Sequence, residues 1–101
     1  MANAQGRKAV TSAGTAERLQ ASDDFVSAVT IQAHHDNTGV MVLGFDATVV
    51  AAAGTRTGLA LSAGDAFTVN RDRRHDPTFS LRDIWVDATV DGEVVTYIYM
   101  D

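Results

Sequence analysis

Leu81–Met100, LRDIWVDATVDGEVVTYIYM, holds the only Trp and both Tyr of the chain, and its reading decides the fold. Asp91-Gly92 is a short-range hairpin signal, because a type I′ turn needs positive φ at both central residues. Around it lie Ile84, Trp85, Val86, Thr89 and Val90, then Val94, Val95, Thr96, Tyr97, Ile98 and Tyr99. Such β-branched and aromatic residues suit a pleated, packed surface. A loop at Asp91-Gly92 sets Ala88 against Val95, Val86 against Tyr97 and Ile84 against Tyr99. That face is the natural core side. The other face pairs Thr89 with Val94, Asp87 with Thr96, Trp85 with Ile98 and Asp83 with Met100. It is too apolar for an ordinary solvated sheet face. Two explanations compete: loops of the same chain cover it, or it meets another subunit.

Outward from this stretch the chain reads as more short strands. Phe25–His34, FVSAVTIQAH, alternates, with Phe25, Ser27, Val29, Ile31 and Ala33 on one face. His35–Gly39 is a loop, and Val40–Gly44 is a short apolar strand expected to return beside Phe25–His34. Phe45–Thr57 reads as a loop in which Asp46 could cap a single helical turn. Gly58–Ser62 and Ala66–Asn70 form a predicted hairpin about Ala63-Gly64-Asp65, with Leu59, Leu61, Phe67 and Val69 inward. Residues 71–80, RDRRHDPTFS, are a charged loop with the only Pro. Lys8–Ser12 and Thr15–Gln20 make a weak N-terminal hairpin about Ala13-Gly14. Residues 1–8 read as a flexible arm and 9–101 as one domain. The expected fold is all-β: a small antiparallel β-sandwich or jelly-roll-like domain of about seven or eight short strands, with little or no helix.

At 101 residues the chain makes one domain with a modest core. It contains no Cys, which removes disulfides and thiolate metal sites. Its start, MANAQGRKAV, lacks the apolar core of a signal peptide, and no run is long enough to span a membrane, so the expected setting is cytoplasm or something assembled there. The formal charge of −5 argues against sequence-independent nucleic-acid binding. Basic charge concentrates locally at Arg71, Arg73 and Arg74. These could join a salt bridge between subunits, touch an acidic partner, or form a solvated loop.

His34, His35 and Asp36, with His75-Asp76 further on, invite a metal reading. Neighbouring histidines in a strand point to opposite faces, which works against one shared ion. A cupin metal motif requires an H-x-H pair with a nearby Glu. Here the histidines are contiguous, and Glu17 and Glu93 are the only Glu. No G-x-S-x-G elbow, P-loop or G-x-G-x-x-G stretch occurs. The expectation is therefore no enzyme, no cofactor and no metal.

The ordered set VTSAGTAERL (Val10–Leu19), VTIQA (Val29–Ala33), NTGVMVLG (Asn37–Gly44), TGLALSAGDAFTV (Thr57–Val69) and LRDIWVDATVDGEVVTYIY (Leu81–Tyr99) resembles small structural proteins of tailed bacteriophages. The likeness runs over nearly the whole chain from Val10, and it rests on the order of the pieces. It implies a compact β-sandwich in the virion without catalysis: a capsid decoration (cement) protein, a head-fibre base or a tail component. Decoration proteins are commonly trimers that bind the major capsid protein on the outer head surface, often gripping it with an N-terminal arm. The short arm and missing fibre extension favour decoration. The long RDRRHDP loop departs from the pattern, so its role is not carried over. On this resemblance Trp85, Thr96 and Ile98 are candidates for subunit contacts. Ala2, Asn3, Arg7, Lys8, Arg71, Arg73 and Arg74 are candidates for capsid contacts. The implied partners are the major capsid protein and other copies of the chain, with neither nucleic acid nor membrane. The implied location is the capsid surface of a virion assembled in host cytoplasm. A tail, baseplate or head-fibre-anchor component is the alternative, and a cupin-like metal-binding domain a third.

Overall fold

The structure is a computed structural model and describes residues 4–21, 25–70 and 79–100. The described residues form β1 (Ala4–Ala9), β2 (Glu17–Arg18), β3 (Phe25–Val26), β4 (Ala28–Ala33), β5 (Met41–Gly44), β6 (Leu59–Leu61), β7 (Ala66–Asn70), β8 (Phe79–Ser80), β9 (Trp85–Ala88) and β10 (Val94–Met100). Two short 3-10 turns, Ala53–Thr55 and Leu81–Asp83, are the helical elements among them. One antiparallel sheet has the order β1-β10-β4-β7, the other β2-β9-β5-β6, and β3 pairs with β8. With β3–β4 and β8–β9 each counted as one interrupted strand, the described residues form an eight-stranded jelly roll.

Period-two alternation generates the core. Inward residues of the first sheet, Val29, Ile31, Ala33, Val95 and Tyr97, meet Met41, Leu43, Leu61, Val86 and Ala88 of the second. Ile84, Leu81, Val10 and Leu19 fill the ends. The face of Ile84, Val86, Ala88, Val95 and Tyr97 is core, as alternation predicts, and Tyr99 is partly buried against it.

The strand partners differ from the expected hairpins. β9 lies between β2 and β5, whereas β10 lies between β1 and β4 in the opposite sheet. Val86 and Tyr97 therefore lie in facing sheets, not side by side. The turn shows why. Gly92 has φ 82°, but no described non-glycine residue has positive φ, so Asp91 does not complete a type I′ turn. The connection is tied instead to the end of β1: the Gly92 N–H donates to Val10 O at 2.8 Å, and the Val10 N–H to Glu93 O at 2.9 Å. Crossing over buries both apolar faces against each other, as a two-layer domain requires.

The same correction applies elsewhere. β6 and β7 belong to different sheets, joined through Ala63-Gly64, although Leu59, Leu61, Phe67 and Val69 keep their inward register with Leu43, Met41, Ile31 and Val29. β5 does not return beside β4 but joins β9 and β6. Ser27 interrupts the Phe25–His34 strand. Its N–H donates to Met100 O at 3.0 Å, and before it the alternation inverts, so Val26 is buried and Phe25 exposed. Phe45–Thr57 contains its helical turn at Ala53–Thr55 instead of Ala47–Ala53, while Asp46 caps Thr48 locally at 2.9 Å.

The expected arm over residues 1–8 is corrected from residue 4 onward, and residues 1–3 lie outside the described residues. Ala4–Ala9 is strand, in register with Val94–Tyr99, and with β2 in the other sheet no N-terminal hairpin forms. Lys8 points between the sheets and pairs with Glu17 at 2.8 Å, tying the β1 edge to the β2 edge. Burial raises the Glu17 carboxyl pKa. The hydrogen bonds from Lys8, Ser12 and Thr11, with the Lys8 charge, outweigh that and hold it below its ordinary 4.5. A depressed folded pKa gives stability that is present above the unfolded value and lost as pH falls through the folded one. Glu17→Gln is therefore expected to flatten the loss of stability below about pH 4.5. Urea unfolding at several pH values checks this, and an unchanged acid limb would deny the pair a role.

Candidate functional site: the outer face of the β1-β10-β4-β7 sheet

The outward positions of this sheet follow from its register. One row across it is Arg7, Thr96, Gln32 and Ala66; the next is Gln5, Ile98, Thr30 and Thr68; the last is Met100, Ala28 and Asn70. Arg7 is the one charged residue among these positions, in a chain of net charge −5. Thr30 and Thr68 hydroxyls bond to each other at 2.8 Å, and the Gln32 amide donates to Gly64 O at 3.1 Å. Ile98 and Met100 are 59% and 54% exposed. Gln5, Thr30, Gln32, Thr96 and Ile98 border a shallow depression of about 340 Å³. The face can therefore pack against another flat surface with little charge to desolvate.

The outer face of the other sheet is covered by its own chain. Val49 and Ala51 bury Val42, with Trp85, Ala16 and Val40 packed beside them. The Arg18 guanidinium stacks 4.5 Å over the Trp85 ring while Arg18 Nη1 donates to Arg82 O at 2.7 Å. Asp87 is 1% exposed; its two oxygens accept the Gly14 and Ala51 N–H groups, each at 2.9 Å. Segments of the same chain cover the Trp85 side of the apolar second face, whereas the Ile98 side is exposed. Trp85 is sheltered internally, Thr96 and Ile98 lie on the neutral face, and these candidates do not form one patch.

Of the capsid-contact candidates, Arg7 lies on the neutral face and Lys8 is paired with Glu17. Ala2, Asn3, Arg71, Arg73 and Arg74 lie outside the described residues. So do His75 and Asp76.

His34 and His35 follow the end of β4 and stack at 4.4 Å, so the opposite-face argument for neighbouring histidines does not hold here. Their ligand atoms and those of Asp36 lie within 4.8 Å of one another. However, His34 Nδ1 already accepts the Asp36 N–H at 3.1 Å, and His35 Nε2 faces the Asp36 carboxylate at 3.2 Å. Contacts within the turn link these three residues to one another.

Two features escaped the sequence. Glu93 is 5% exposed, and its carboxylate accepts the N–H groups of Thr38 and Gly39. At the β6/β7 edge the sandwich opens into an apolar mouth of about 60 Å³ lined by Ile31, Leu43, Phe45, Leu59, Phe67, Val69 and Ile84. Inward register at a sheet edge does not guarantee cover: Phe45, Leu59 and Phe67 are 68%, 42% and 44% exposed. Comparison with protein-family models, curated proteins and solved structures finds no match to the chain.

Proposed function

We propose that this chain is a structural protein of a tailed-phage virion, a capsid decoration protein that assembles as a trimer on the outer head surface and bridges capsid subunits. The observation that carries this reading is the sheet face around Ile98, whose outward positions hold no acidic side chain although the chain is acidic. Like-charged copies can approach each other there without repulsion. The jelly roll is also an architecture of viral capsid proteins, a likeness of fold that leaves function to the site. Its interior is packed with apolar side chains, which favours assembly over a cupin-like cavity. Several identical weak contacts joined in one trimer would bind a shell far more tightly than one.

The expected result is a particle of about three times the 10.7 kDa chain mass by light scattering, which co-sediments with mature heads. A monomer that stays in the supernatant would overturn the proposal. A labelled copy imaged on particles separates head from tail, baseplate or fibre-anchor placement.

A further inference from the structure

A two-fold contact uses the same patch on both copies, but a closed ring of three needs two different patches on every copy. Resting on the trimeric reading, we propose that the neutral face of one copy, centred on Ile98 and Met100, seats in the apolar mouth between β6 and β7 of the next.

Three observations carry this. The surfaces match in chemistry: Ile98 and Met100 are exposed apolar side chains, and the mouth is an apolar recess of about 60 Å³ edged by exposed Phe45, Leu59 and Phe67. The charges are complementary as well. Arg7 is the charge on the Ile98 face and forms no ion pair among the described residues, while exposed Asp46 follows Phe45, and exposed Asp65 lies two positions before Phe67. Finally, β6 and β7 are the end strands of their sheets among the described residues, so a neighbour can approach them without displacing a strand. Burying Phe45, Leu59 and Phe67 against Ile98 and Met100 would remove from water five of the seven large apolar side chains that the described surface exposes.

The absence of Cys makes a thiol-specific test clean. Ile98→Cys and Phe67→Cys are made singly, mixed, and treated with a short bis-maleimide after their masses are checked by light scattering. The expected result is a three-fold mass and a cross-linked dimer in the mixture, at least ten-fold more abundant than in either variant alone. A dimer from Ile98→Cys alone would overturn the proposal in favour of a self-matching two-fold contact. A three-fold mass without cross-linking in the mixture would overturn it while leaving the trimer intact. A monomeric mass for the unmodified chain would overturn the trimer itself. If either cysteine variant fails to assemble, the unmodified chain with Arg7→Glu serves instead. At low salt its assembly is expected to weaken at least ten-fold, and unchanged assembly would overturn the proposal.

Discussion

Asp87→Ala is expected to lower the stability of the domain by about 2–4 kcal/mol, a large part of the roughly 5–15 kcal/mol such domains possess. The carboxylate lies on the outer side of the β2-β9-β5-β6 sheet, roofed by the chain, and accepts two backbone N–H groups from segments distant in sequence. Truncation strands the Ala51 N–H in a buried site and leaves the Gly14 N–H to find water. An orphaned buried donor costs about 1–3 kcal/mol, more than the net worth of the bond that held it. Both the Gly14 turn and the Phe45–Thr57 cover should loosen, exposing Trp85. Asp87→Asn keeps one acceptor oxygen but turns an NH2 toward the other donor, so its expected loss is smaller but still measurable. Urea denaturation with Trp85 fluorescence checks both variants. A near-neutral Asp87→Ala would mean that water replaces the carboxylate without penalty.

Tyr97→Ala is the second large effect, at about 3–5 kcal/mol. Tyr97 is 7% exposed in the centre of the core, its ring stacked with Tyr99 at 6.1 Å, and its hydroxyl donates to Gln20 at 3.0 Å. The ring also lies over Gly6, its register partner in β1, where any Cβ would overlap it. Glycine in an edge strand is thus the space in which an aromatic neighbour rests. Removing the ring leaves a cavity and an unsupported edge strand. Tyr97→Phe loses only the hydroxyl's bond, about 0.5–1.5 kcal/mol. Calorimetry of the two variants separates packing from hydrogen bonding, and equal losses would contradict the division.

Faces were legible in the sequence; partners were not. Alternation placed Val29, Ile31, Val86, Ala88, Val95 and Tyr97 inward, because side-chain direction in a strand is a local property with a period of two. Which strand lies alongside is a non-local property. Asp-Gly and Ala-Gly-Asp turns look the same whether they join neighbours in one sheet or cross between two. The difference arises at Asp91, which keeps negative φ, and in the bonds of Gly92 and Glu93 with Val10, far away in sequence. For the same reason the role of Asp87 was not legible, since nothing local announces that Gly14 and Ala51 will bond to it. One signal was available: an Asp flanked by Val86 and Ala88 within an apolar strand. Ile98 on the candidate face was legible from its apolar neighbours, and its separation from Trp85 was not. The mouth depends on where two sheets end, which no single strand records.

The pairing of β1 with β10 also has a consequence for how the chain acquires its shape. β10 is made after every other described strand, yet it is a central strand of its sheet, and β1 and β4 must both wait for it. Closing such long loops before any contact rewards them makes β-sandwiches fold in milliseconds to seconds, not microseconds. Until Val94–Met100 emerge, the unpaired edges of β1 and β4 are open to other nascent chains. Those edges therefore need protection until β10 is made, and that strand acts as the latch that ends their exposure.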